Sequence, residues 1–211
     1  TSIGDDAFYG CTSLTSITIP EGVTSIGEYT FAYSDDKNDK AMLTTVTFEP
    51  TCQMTVISEG LFMNAGRLVM SSLPDSITTI KDMAFMNCDA KDFKEFTISD
   101  NVTSIGTAVF RGTTYLAKLT VPFVGQVNSI DNDNTVEQNE VFGWIYGYKG
   151  TGDVNDNANY YIEPALKEVI ITSDVIVGPY AFANADKIEK ITIPATVTRI
   201  GEYAFYDSNA L

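Results

Sequence analysis

Leu14-Thr15-Ser16-Ile17-Thr18-Ile19-Pro20, followed a few residues later by Ile26-Gly27-Glu28-Tyr29-Thr30-Phe31, is one unit of a repeat that decides the fold. Its second half returns as Gly4-Asp5-Asp6-Ala7-Phe8, Gly178-Pro179-Tyr180-Ala181-Phe182 and Gly201-Glu202-Tyr203-Ala204-Phe205, with relaxed copies ending at Phe62, Phe85, Phe110 and Phe142. Successive phenylalanines of this column stand 23, 31, 23, 25, 32, 40 and 23 residues apart, so the unit is 23 residues and the excesses are insertions. Five residues before each Phe stand Ile3, Ile26, Ile57, Ile80, Ile105, Val177 and Ile200; the Phe142 turn has Glu137 there, and carries a displaced copy at Val127-Asn128-Ser129-Ile130. A fixed period of this length is the mark of a stacked-repeat architecture.

The first half of the unit recurs at Leu116-Leu119-Val121-Pro122 and Ile188-Ile191-Ile193-Pro194. Alternating apolar positions predict a short strand with one buried face, ended by a proline that has no N–H to give a ladder. One turn cannot bury its own apolar face, but stacked turns can. Equivalent strands then lie side by side in a parallel sheet at about 4.8 Å per step, and eight turns make a rod roughly 40 Å long. The phenylalanine and isoleucine columns read as core stacks, and they imply no cofactor box.

The combined unit, Leu-x-x-Ile-x-Ile-Pro-x-x-Val-x-x-Ile-Gly-x-x-Ala-Phe-x-x-Cys, is quoted from Leu14 to Phe31 and from Phe8 to Cys11. It resembles the BspA-like leucine-rich repeats over nearly the whole chain. The resemblance implies a right-handed leucine-rich-repeat solenoid, spanning residues 1–211 as one unit of about eight turns. A parallel β-sheet would form one face and short loops or helical turns the other. It further implies a bacterial secreted or cell-surface protein engaged in adhesion to host molecules, with no cofactor and no catalytic residues to carry over. The first residues already lie inside a repeat, so the sequence reads as a piece of a longer or processed chain whose terminal strands lack caps; a monomer is expected.

Chemistry is sparse. There is no histidine among 211 residues, which removes the usual general base, the Ser-His and Cys-His nucleophile systems and the commonest zinc ligand. Acidic residues are plentiful, but no pair of carboxylates is singled out for glycoside hydrolysis. With 28 acidic against 13 basic residues the net charge is -15, which repels phosphate backbones and anionic lipid and argues against nucleic acid. No stretch approaches the roughly 18 apolar residues needed to cross a bilayer. Gly147-Tyr148-Lys149-Gly150-Thr151-Gly152 lacks the spacing of a phosphate loop and reads as a turn. Cys11 and Cys88 share a repeat position three turns apart, about 14 Å at strand spacing, which is too far for a disulfide; with Cys52 they read as free, buried thiols. Asp153-Val154-Asn155-Asp156-Asn157 begins like a calcium loop, and Asp131-Asn132-Asp133-Asn134 is similar. Ala158 and Pro164 stand where the turn glycine and bidentate glutamate belong, so both read as solvated polar loops.

Two surfaces compete for a ligand. On the sheet, residues flanking the central strand position point outward. One column, Thr18, Thr47, Ser72, Thr97, Thr120, Ile170 and Thr192, is a hydroxyl ladder explained by strand propensity. The next, Ser16, Thr45, Met70, Glu95, Lys118, Glu168 and Lys190, changes from turn to turn, and there Glu95, Lys118, Glu168 and Lys190 are candidate contacts. The second surface is the irregular sixth turn, lengthened by Asp131 to Glu140 and by Gly143 to Ala165. It carries Trp144, Tyr146, Tyr148, Tyr160 and Tyr161, which either form an aromatic knob for a matrix protein or glycan or fold back over the solenoid where repeat packing fails. A smaller insertion, Tyr33 to Met42, is charged and suits solubility.

Overall fold

The computed structural model describes residues 1–35, 41–126, 141–147 and 161–211. Two sets of short parallel strands alternate along the chain. The longer strands are β2 (Ser16–Ile19), β4 (Thr45–Phe48), β7 (Glu95–Thr97), β9 (Lys118–Val121), β10 (Glu168–Ile171) and β12 (Lys190–Thr192). The two-residue strands are β1 (Ser2–Ile3), β3 (Ser25–Ile26), β5 (Val56–Ile57), β6 (Thr79–Ile80), β8 (Ser104–Ile105), β11 (Ile176–Val177) and β13 (Arg199–Ile200). Each pairs only with its counterpart in a neighbouring unit, in the orders β2-β4, β7-β9-β10-β12, β1-β3, β5-β6-β8 and β11-β13. Partners in the short sets sit one unit apart, Ser2 on Ser25, Val56 on Thr79 and Ile176 on Arg199.

The buried side chains form one hydrophobic cluster whose spine is the phenylalanine column. Ring centroids are 5.4 Å apart for Phe8–Phe31, 5.9 Å for Phe31–Phe62, 5.3 Å for Phe62–Phe85 and 5.7 Å for Phe85–Phe110. The stack resumes as Phe142–Phe182 at 4.9 Å and Phe182–Phe205 at 5.6 Å.

Around the other column Phe residues the chain turns without helices; Phe142–Tyr146 is a 3₁₀ segment, and Tyr161 also has 3₁₀ backbone. The backbone instead makes β-turns in series, such as Met63 N–H to Gly60 C=O (2.9 Å) and Ala65 N–H to Phe62 C=O (3.0 Å). Between these turn bonds, alternate residues donate to the next unit: Gly60 to Asp82 C=O (2.9 Å), Phe62 to Ala84 C=O (2.9 Å) and Asn64 to Met86 C=O (2.8 Å). Left-handed backbone recurs at two places in most units. One is the residue two before Phe, occupied by Asp6, Tyr29, Gly60, Met83, Ala108, Tyr180 and Tyr203; the other is two after it, occupied by Gly10, Asn64, Asn87, Gly112, Asn184 and Asp207. Asn and Gly suit the second. Tyr, Met and Ala at the first are strained, and the conformation is held by the ladder, as in Tyr29 N–H to Glu59 C=O (3.0 Å) and Met83 N–H to Thr107 C=O (2.9 Å).

The motif glycine has a different reason. A Cβ on Gly27 would lie 2.3 Å from the Asp5 backbone nitrogen, and one on Gly106 2.4 Å from that of Asp82. The preceding unit leaves no room for a side chain there, and the Asp5 and Asp82 carboxylates use the close approach to accept from Glu28 N–H and Thr107 N–H, each at 2.9 Å.

The longer strands do not form one unbroken sheet. β4 pairs with β2 only, and the following segment reaches β7 through the single bridge Ser72 to Thr97. Ser71 stands where the other units place Ile17, Val46, Phe96, Leu119, Val169 and Ile191 inward. A serine gains little by burial, so Ser71 is exposed and its neighbour Met70 turns into the core, 9% exposed. Met70 therefore leaves the outward column in which its position had placed it. Residues 36–40 of the small charged insertion lie outside the described residues, while Tyr33 and Ala41 at its ends and Leu43 just after it are buried.

Candidate functional site

The outward row of the four-stranded sheet is in strict register. Glu95 lies opposite Lys118, Lys118 opposite Glu168, and Glu168 opposite Lys190. Alternating signs make each cross-strand neighbour attractive. The Lys190 ammonium is 2.7 Å from a Glu168 carboxylate oxygen, and this hydrogen bond holds the Glu168 carboxyl below its ordinary range. Beside it, Lys167 and Glu189 pair at 3.1 Å. The β2-β4 part of the same face presents Ser16, Thr45, Thr18 and Thr47, and no charge. The face thus divides into a hydroxyl half and a charged half, both on rigid strands.

The irregular turn lies partly outside the described residues: Tyr148, Tyr160, the Val127–Ile130 copy and both Asp/Asn-rich stretches fall there. Trp144 is half-buried and its ring N–H donates to Ile105 C=O at 2.9 Å. Its carbonyl accepts from Ala108 N–H (3.1 Å) and from the Thr107 hydroxyl (3.2 Å), while Ile145 C=O accepts from Phe110 N–H (2.9 Å). Tyr146 is fully buried beside Phe142, and burial pushes its phenol far above the ordinary range. Beside its hydroxyl stands that of Thr113, which donates to Phe110 C=O at 2.6 Å. The Phe142–Tyr146 segment is therefore a lid on the core, and Tyr146 does not reach solvent to contact a ligand. The sequence signal for this was the apolar composition of Phe142, Trp144, Ile145 and Tyr146 together.

Tyr161 is 48% exposed, and faces a cleft of about 350 Å³ lined by residues 161–164 on one side and 184–187 on the other. Sequence reading had no means of finding the second wall. It also passed over Asp174, which is 1% exposed and accepts from Val124 N–H (3.2 Å) and Val175 N–H (3.1 Å). Burial raises its carboxyl from 3.8 to about 6, against the opposing effect of these backbone donors. Asp174 ties the entrance of the irregular turn to the following unit.

All three cysteines are free; Cys52 and Cys88 are buried, and burial pushes the Cys88 thiol far up. Cys11 is only half-buried, a departure from its reading as buried. Among the described residues no group of His, Cys, Asp or Glu could hold a metal ion. Among them, too, no helix is long and apolar enough to cross a membrane.

A family model described as BspA type leucine rich repeat region matches residues 1–134 and 153–211 in six copies. No curated protein matches the chain. Among solved structures, a leucine-rich repeat protein from Bacteroides ovatus ATCC 8483 is 26% identical, with a TM-score of 0.55, over 100% of this chain and 51% of that one. The chain thus spans about half of that relative's length. The T. pallidum leucine rich repeat protein is 17% identical with a TM-score of 0.53, over 100% of this chain and 71% of its own, a likeness of fold. The repeat columns, the parallel unit-on-unit pairing and the match over most of the chain converge: the chain belongs to the BspA-type leucine-rich-repeat family.

Proposed function

We propose that this chain is a non-enzymatic binding scaffold of a secreted or surface-attached protein, a single right-handed solenoid of about eight turns acting as a monomer. Its partner is a protein of the host or extracellular matrix. The observation that carries the reading is the row Glu95, Lys118, Glu168 and Lys190, four alternating charges projected from paired strands on otherwise hydroxyl-rich units. Rigid, variable side chains on a regular frame are the means by which a solenoid writes specificity. Because the signs alternate, their fields cancel at a distance and the row acts at contact range, where salt screens each exposed charge.

The test is binding of the chain to immobilised matrix proteins at several salt concentrations, beside a double charge reversal, Glu95→Lys with Lys190→Glu. Saturable binding that is lost in the reversal supports the row. Binding retained in the reversal moves recognition off the sheet, and no binding at all leaves a spacer that holds other domains apart.

A further inference from the structure

The cleft beside Tyr161 differs in kind from the sheet face, being concave and built from two separate segments. Its volume of about 350 Å³ sits at the low end of the range of small-molecule sites. Among its lining residues Ile162 and Ala185 are buried, 6% and 1% exposed, and Tyr161 is the exposed aromatic residue. Its polar groups are Glu163, Asn184, Asp186 and Lys187.

The two carboxylates and the backbone of both walls are tied into the fold before any ligand arrives. Glu163 accepts from Gly112 N–H at 2.9 Å through one carboxylate oxygen, and its own carbonyl accepts from Leu166 N–H at 3.1 Å. Asn184 sits in left-handed backbone fixed by its N–H bond to Tyr206 C=O (2.8 Å). The Lys187 carbonyl is bound by the Lys167 ammonium at 3.2 Å, and an Asp186 carboxylate oxygen accepts from the Asn209 amide at 3.5 Å.

We propose that this cleft is a saccharide subsite that takes a neutral mono- or disaccharide. An aromatic ring covers the apolar C–H face of a pyranose. An amide, two carboxylates and an ammonium match hydroxyl groups, each of which both donates and accepts. Carboxylates and wall backbone already fixed in place lower the ordering cost of binding. Two carboxylates against one ammonium leave the cleft negative, so anionic sugars are repelled. The site is independent of the charged row on the sheet, and its failure leaves that reading untouched.

The experiment is saturation-transfer NMR and titration calorimetry on the full chain with N-acetylglucosamine, lactose and, as the anionic counterpart, N-acetylneuraminic acid. Transfer to a neutral sugar and none to the neuraminic acid is expected. Tyr161→Ala weakens the neutral sugar about ten-fold or more, and Tyr161→Phe keeps it. Asp186→Asn narrows the discrimination against the anionic sugar. Circular dichroism confirms that each variant is folded, as expected for exposed positions. No transfer to any of the sugars, equal binding by Tyr161→Ala, or neuraminic acid bound as well as lactose overturns the proposal.

Discussion

The units ending at Phe62 and Phe85 and the unit ending at Phe142 share a column residue but not a backbone. In the regular pair, Phe62 N–H donates to Ala84 C=O, the residue just before the next Phe. At the irregular unit Phe110 N–H donates instead to Ile145 C=O, three residues beyond Phe142. Phe110 accordingly keeps ring contacts with Phe85 and Phe96, and Phe142 stacks onward to Phe182. Yet β9 and β10, separated by the whole insertion, pair in register from Lys118 on Glu168 to Val121 on Ile171. The difference teaches that strand register follows the side-chain columns, whereas the turn backbone follows local chain length. Closing a longer loop costs only logarithmically with its length, while a one-residue slip would expose every buried strand side chain.

The largest effect that separates the two regions should be loss of a ring. Phe85→Ala empties a fully buried place between two stacked rings and should cost about 3–5 kcal/mol in urea unfolding. Phe142→Ala, stacked on one side by Phe182, should cost less; equal losses would mean that the stack is not interrupted in energy.

Acidification sharpens the comparison next. The folded chain holds the Asp174 proton with a value of about 6 against 3.8 ordinarily, so the native state binds that proton more tightly. Stability contributed by this group is fully present below about pH 4 and is lost as pH rises through 6. The change amounts to about 3 kcal/mol. Asp174→Asn should flatten this segment of the stability-against-pH profile, and amide exchange at Val124 should report the same group locally.

A smaller effect of about 1–3 kcal/mol is expected for Gly106→Ala, whose Cβ meets the Asp82 backbone. Gly4→Ala, with nothing within 4 Å, is the silent control. The smallest is Trp144→Phe. Removing the ring N–H that satisfies Ile105 C=O should cost about 1 kcal/mol, measured as a shift in thermal midpoint. No shift would mean that the lid is held by its backbone bonds alone.

Much of the fold was legible because it repeats. The Phe and Ile columns fixed which side chains go inward, and the alternation beside them placed Glu95, Lys118, Glu168 and Lys190 in one outward row, because a strand alternates faces every residue. Burial of Trp144 and Ile145 could be stated as one of two readings from their apolar character. The left-handed backbone at Tyr29, Met83, Ala108 and Tyr180 could not be read, since none of these residues prefers it; neighbouring units impose it through hydrogen bonds. Nor did the pattern foretell that Ser71 would cede the core to Met70, a competition settled only when both were set against the same interior.

What the sequence by itself determined is therefore periodic: the unit, the strands, the buried columns and the charged row. What only the tertiary structure decided is everything that depends on two segments far apart in the chain. The Asp174 tether to Val124, the fit of Gly106 against Asp82, the Trp144 bond to Ile105 and the cleft between Tyr161 and Asp186 all belong to that class. The reason is physical: a residue's period sets the direction of its side chain, but its environment is set by the units stacked against it.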